Sequence, residues 1–254
     1  MKNDTKRVVI IHRHIFKNAG TTFDSILKTN FGSAFCDHRD DVPMRKEGEK
    51  YLLRFLRENP HIKALSSHHI WFNFSEISDL ELIPVVFLRH PIERIRSVYN
   101  FEREQQVETQ GAINAKNKNF SEYVEWLMDD KVSAIIRNVQ TRYLAGDKSV
   151  KPLKQNHLKI ALNELKKQKF IGIVDLFDES LSLFDTELRK MGFTLDFSFQ
   201  LQNVKQPVEN ANYESRAKEV LDDLGDIAQV VLKKNKFDLI IYQAAREKLL
   251  NSES

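Results

Sequence analysis

Residues 8–23 read Val8-Val9-Ile10-Ile11-His12-Arg13-His14-Ile15-Phe16-Lys17-Asn18-Ala19-Gly20-Thr21-Thr22-Phe23. Four aliphatic residues in a row form a short buried strand. A polar loop follows, and Thr21 and Thr22 open an amphipathic helix. Strand, tight loop and helix start together make a site for a phosphate-like anion. The first N–H groups of a helix have no intrahelical partner, and the helix dipole places partial positive charge beside them. Gly20 lets the backbone approach the anion closely. Lys17 supplies a cation, Asn18 and Ala19 carry the turn, and the two threonines add hydroxyl donors. His12 and His14 flank the loop within reach of the same ligand.

This loop is not a Walker A motif, which needs G-x-x-x-x-G-K-[ST] with the lysine beside the second glycine. Here Lys17 precedes Gly20 by three residues and no glycine stands before it. The expected ligand is therefore not an ordinary nucleoside triphosphate.

The 254 residues suit one α/β domain spanning 1–254. With 41% hydrophobic and 30% charged residues, the chain is ordinary for a globular protein with a sizeable core. A net charge of +3 and the absence of zinc, helix-turn-helix or RNA-binding signatures give no footing for nucleic acid. Cys36 is the one cysteine, so no intrachain disulfide forms. No apolar run approaches the ~18 residues of a membrane span, and the short N-terminal apolar run does not make a signal sequence. A cytoplasmic location is the expectation.

Beyond the first loop, periodicity predicts a helix over 21–28, an irregular polar stretch over 30–45 and a helix over 47–59. A metal cluster at His38, Asp37 and Asp40 matches no ligand spacing, and a solvated loop is expected. A strand over 62–66 runs into His68 and His69, ahead of Trp71 and Phe72. Histidines at a strand tip are candidates for a general base. Residues 82–88 form a central parallel strand with Pro84 at its start. Arg89 stands at its tip, Pro91 opens a helix, and Ser97 lies two turns along it. Residues 105–119 read as a polar loop, and 120–128 and 132–144 as helices. A helix follows over 158–167, then a strand over 170–174. The next helix opens at 176–180, capped by Asp175 or Asp178, and residues 217–250 are helical.

Three segments carry a resemblance. Lys17-Asn18-Ala19-Gly20-Thr21-Thr22 resembles the 5′-phosphosulfate loop of sulfotransferases, with Phe16 where the family has proline. Phe87-Leu88-Arg89-His90-Pro91-Ile92-Glu93-Arg94-Ile95-Arg96-Ser97-Val98-Tyr99 is similar to that family's 3′-phosphate segment. Asn138-Val139-Gln140-Thr141-Arg142-Tyr143-Leu144 resembles a segment of the glycan branch that holds the heparan sulfate 2-O- and 6-O-enzymes.

The resemblance implies a three-layer, P-loop-like α/β fold with a central parallel sheet flanked by helices. It implies transfer of a sulfuryl group from 3′-phosphoadenosine 5′-phosphosulfate (PAPS) to an acceptor hydroxyl, with no metal required. Residues 17–22 would hold the 5′-phosphosulfate, and Arg89 and Ser97 the 3′-phosphate. Lys205, in a polar turn over 202–207, would touch the cofactor. Lys17 would meet charge on the leaving oxygen. His69 would be the base, with His68 second, since the tandem pair leaves the register open by one residue. Gln140 and Arg142 either face the acceptor or form a polar helix face. The resemblance points to a carbohydrate acceptor; a lipid, peptide or small metabolite also carries the needed hydroxyl. The alternatives are a kinase-like P-loop enzyme and a non-catalytic adenosine 3′,5′-bisphosphate binder. Oligomeric state is not legible.

Overall fold

A computed structural model describes residues 6–197 and 213–251. Five strands form one sheet: β1 (Arg7–Arg13), β2 (Phe35–Asp37), β3 (Ala64–Ser67), β4 (Leu80–Leu88) and β5 (Phe170–Ile173). Their order is β2-β3-β1-β4-β5 and every pairing is parallel. The central strand β1 aligns Ile10 with Ala64 on one side and with Ile83 on the other.

The side-chain alternation of the strands sorts the core into two faces. Ile10, Ile83, Val85 and Phe87 pack on α1 (Gly20–Phe31) and α9 (Phe177–Lys190). On the opposite face Val9, Ile11 and Leu65 meet α3 (Glu49–Glu58). There too, Val86, Leu88 and Ile173 meet α7 (Val139–Ala145), α8 (Gln155–Lys167) and α12 (Lys236–Asn251). This is a three-layer α/β fold. A satellite core without strand residues joins α4 (Pro91–Glu104), α6 (Phe120–Met128), α10 (Tyr213–Leu224) and α11 (Ala228–Lys234).

Several local expectations are corrected. Residues 30–45 hold the edge strand β2 and α2 (Asp41–Glu47); three residues of strand are too few for a periodic signal. Within 105–119 lies α5 (Gln110–Asn117), capped by Thr109, whose Oγ1 accepts from the Ala112 N–H at 3.2 Å. The helix expected over 132–144 begins only at Val139. Asn138 breaks it, with φ of 49° and its side-chain oxygen accepting from the Phe237 and Asp238 N–H groups. Pro84 lies inside β4, opposite Ile11. Pairing with β5 starts only at Val85, so one flank of the strand has no ladder to lose at Pro84. Neither Asp175 nor Asp178 caps α9; Leu176 precedes it, and Asp175 accepts from the Tyr242 hydroxyl. The turn over 202–207, with Lys205, lies outside the described residues.

Candidate active site

The carboxyl ends of β1, β3 and β4 converge, and each delivers part of the site. β1 leads into the turn of residues 14–19. Lys17 and Ala19 both take left-handed backbone conformations, with φ of 64° and 57°. For residues with a Cβ this costs about 1–2 kcal/mol each, and such strain concentrates at functional sites. Ala19 is also the N-cap of α1, and no side chain caps that helix. Alanine is among the poorest N-caps; the Thr22 and Phe23 N–H groups donate to the Ala19 carbonyl, and those of Gly20 and Thr21 are left for another acceptor.

The turn is braced from two sides. Asn18 is buried, and its amide donates to the Phe87 carbonyl and to Gln140 Oε1, both at 2.8 Å. Its side chain is therefore committed to the scaffold. Gln140, fully buried, also accepts from the Arg89 N–H and donates to the Arg89 carbonyl, both at 2.9 Å. One amide thus ties the first loop to the tip of β4, which is neither of the roles expected of Gln140. In place of the family's proline, Phe16 packs edge-on against Phe101 at 5.0 Å. Its carbonyl accepts from Arg94 Nε at 3.0 Å.

Lys17, Arg89 and Ser97 line a single cleft of about 500 Å³, closed on one side by Arg216 and Val220 of α10. Lys17 Nζ sits 4.5 Å over the Phe101 ring. Burial, and then the Arg89 charge, lowers the Lys17 pKa. Burial likewise lowers that of Arg89, and its Nε is buried with no hydrogen-bond partner. Glu93, the carboxylate that acts most on Arg89, is paired with Arg216. Two cations held together, an orphaned guanidinium donor and an uncapped helix start fit a polyanion. Thr21 is exposed beside them and Thr22 half-buried.

The histidines stand on the other side of the turn, in a cavity of about 420 Å³ bordered by His68, His69, Trp71 and Tyr143. Phe16 faces this cavity while Lys17 faces the cleft. His68 Nδ1 lies 2.9 Å from the His14 carbonyl oxygen. A carbonyl only accepts, so Nδ1 carries the proton and Nε2 the lone pair. Burial first, then the neighbouring His14, lowers the His68 pKa and keeps the ring neutral. His69 has its backbone N–H on Ser67 Oγ at 3.2 Å.

Sequence reading missed a carboxylate. Asp24 of α1 accepts from His12 Nδ1 at 2.7 Å and from His14 Nδ1 at 3.0 Å. These histidine bonds hold its carboxyl well below the ordinary range despite burial. The His14 ring lies 3.9 Å from the His68 ring and against Gly20, where a Cβ would fall 2.1 Å from it. His14 is thus the wall between loop and cavity, and Gly20 is required by that ring as much as by any anion. The available signal was an aspartate on an otherwise apolar helix face, one turn past Gly20. His12, His14 and Asp24 are also near enough to share a metal ion, but as they stand they are bonded to one another. His38, weighed as a ligand, instead meets the Tyr51 hydroxyl at 2.9 Å. Arg142 is buried and holds Asp147, Ser149 and Lys151. Residues 105–119 give nothing to the cavity; residues 133–135 and 147–150 border it.

A family model described as the sulfotransferase family matches residues 3–243. A protein of Archaeoglobus fulgidus, described only as uncharacterized, is 30% identical over 247 residues, covering 93% of this chain and 95% of the relative. The chain belongs to the sulfotransferase family, and sulfuryl transfer is the chemistry that family membership carries. Among the described residues no helix is long and apolar enough to cross a membrane.

Proposed function

From that membership we propose that the protein moves a sulfuryl group from PAPS to an acceptor hydroxyl. One observation carries the reading. Lys17, just ahead of the uncapped start of α1, lines one cleft with Arg89 and Ser97 of a distant strand tip and the helix that follows it. A triphosphate needs one anion site; a nucleotide with phosphates at two ends needs two.

Bound in this cleft, PAPS would supply an activated sulfuryl group on its 5′-phosphate. The N–H groups at Gly20 and Thr21, with the hydroxyls of Thr21 and Thr22, hold the 5′ end. Arg89 and Ser97 hold the 3′-phosphate. Lys17 stands where negative charge grows, and a cation fixed there in advance lowers the barrier without reorganising.

The base must take a proton from the acceptor hydroxyl. The sequence favoured His69, and the geometry favours His68. His68 Nδ1 is locked as a donor to His14, its lone pair is on Nε2, and its ring is neutral near pH 7. Asp24 orients His14 beside it.

The test is incubation with radiolabelled PAPS and a panel of alcohols, alongside calorimetric titration with adenosine 3′,5′-bisphosphate. Tight nucleotide binding with label transferred to an alcohol is the expected result. Binding without transfer to any acceptor would make the protein an inert sensor; turnover of ATP would establish a kinase. The resemblance favours a carbohydrate hydroxyl, but the cavity beside His68 sets its own terms on the acceptor.

A further inference from the structure

We infer that the acceptor is a small alcohol or phenol with an apolar body, held in the cavity between β3 and α7. This rests on the sulfuryl-transfer reading and names the substrate class for it.

The first argument is size. About 420 Å³ holds one small molecule. It does not hold several linked sugars.

The second argument is the wall. Ile15, Trp71, Ile135, Val139, Tyr143 and Val150 supply carbon surface from five separate stretches of chain. Trp71 donates its indole N–H to the His68 carbonyl at 2.8 Å, so its polar atom is already engaged. Its ring packs on Tyr143 with centroids 4.7 Å apart, forming an aromatic side.

The third argument concerns the charged residues at the border, whose donors are largely committed to the protein. Arg94 donates to the Phe16 and Ile135 carbonyls at 3.0 and 2.7 Å, with its Nη2 buried and without a partner. Arg142 donates to Asp147, to the Ser149 carbonyl and to the Lys151 carbonyl at 2.9, 2.7 and 2.6 Å. Asp147 also accepts from the Ser149 N–H at 2.9 Å. These bonds hold two loops in place as walls. A sugar ring would bring several hydroxyls against this surface, and beyond the unpartnered Tyr143 hydroxyl and Arg94 Nη2 most would lose water without gaining a partner. A molecule with one hydroxyl and an apolar body loses nothing, provided the hydroxyl points at His68. Exposed Lys148 and Ser149 stand at the opening and suit a polar tail.

The chemistry balances with no further reagent. The acceptor oxygen forms a bond to sulfur. The bond between sulfur and the donor's 5′-phosphate oxygen breaks, and its electron pair stays on that oxygen beside Lys17. The acceptor proton passes to His68 Nε2. The products are a sulfate monoester and adenosine 3′,5′-bisphosphate.

The experiment has two arms on the full-length protein. In the first, label transfer from PAPS is measured to 4-nitrophenol, cyclohexylmethanol, glucose and a heparan oligosaccharide. At least 100-fold higher kcat/KM for the first two supports the inference; preference for either carbohydrate overturns it. The second arm is calorimetric binding of 4-nitrophenol to wild type and to Val139→Phe, with adenosine 3′,5′-bisphosphate titrated separately. At least tenfold weaker phenol binding in the variant, with nucleotide affinity within twofold of wild type, supports the inference and shows that the variant folds. Undetectable phenol binding to wild type, or binding indifferent to Val139→Phe, overturns it. Because the phenol arm needs no nucleotide, failure of the donor reading would appear separately as absent nucleotide binding. A second filling variant, Ile135→Phe, gives the same readout from another wall if Val139→Phe does not fold.

Discussion

The cleft at Lys17 and the cavity at His68 border neighbouring residues of one turn, yet they are built by opposite means. The cleft collects charge. Lys17 and Arg89 are held close against their mutual repulsion, and an orphaned guanidinium N–H and an uncapped helix end face the same need. The cavity disposes of charge. Its arginines spend most of their donors on its own carbonyls and Asp147, which leaves a lining mainly of carbon with a neutral histidine. A group-transfer site needs both kinds of surface. A multiply charged donor is met by fixed cations, while a nucleophile gains from a base that has stayed unprotonated. Phe16 borders the one and Lys17 the other, so the two environments meet at the turn.

The strongest way to break the contrast is Lys17→Ala. Alanine accepts the left-handed turn no worse than lysine, and the substitution chiefly removes the ammonium from the face of Phe101, an interaction worth about 0.5–1 kcal/mol. The fold should persist, with a melting temperature within a few degrees of wild type. The kcat should fall by about 10³-fold, the upper end for one electrostatic donor at a developing charge. Turnover that survived Lys17→Ala would remove the cleft from the donor side altogether.

Next comes the base. His68→Ala should cost about 10²-fold in kcat with nucleotide affinity unchanged, and His69→Ala less than tenfold. The sign of the pH dependence follows from the direction of the shift. The reactive form is neutral, and burial places its pKa below the ordinary 6.5. The kcat/KM should therefore rise with pH through a midpoint below that value, and His68→Ala should abolish this acid limb. Larger loss from His69→Ala would restore the register that the sequence favoured.

The two regions also differ in how far they could be read in advance. The cleft was legible because its parts lie in short motifs at strand-to-helix junctions, where local geometry alone aims them. Lys17, Arg89 and Ser97 needed only correct strand ends to be placed. The parallel sheet was legible for the same reason, since β1 and β4 are continuous apolar runs. The cavity was not. Trp71 stood only as an aromatic after the histidines, and Ile135 and Val139 lay within one expected helix, which Asn138 in fact breaks between them. Asp24 was missed because its partners lie on a strand face that becomes adjacent only when α1 packs down. Gln140 was left open between facing the acceptor and a polar helix face; its burial makes it a brace.

That brace gives the smallest and most discriminating test. Gln140 and Arg142 lie two residues apart on α7, one fastened to the donor loop and the other to the acceptor loop. In Gln140→Leu the Asn18 amide loses one partner, and the Arg89 N–H and carbonyl lose theirs in a buried setting. The cost should be about 1–3 kcal/mol, seen as a melting temperature several degrees lower. The KM for donor should rise a few-fold while that for acceptor stays level. In Arg142→Leu the 147–151 loop is released instead, and the acceptor KM should rise while the donor KM does not. Crossed effects of this kind would mean that α7 holds two independent half-sites. If both variants raised both constants together, the turn would be coupling cleft and cavity into one unit, and the difference between them would be one of lining only.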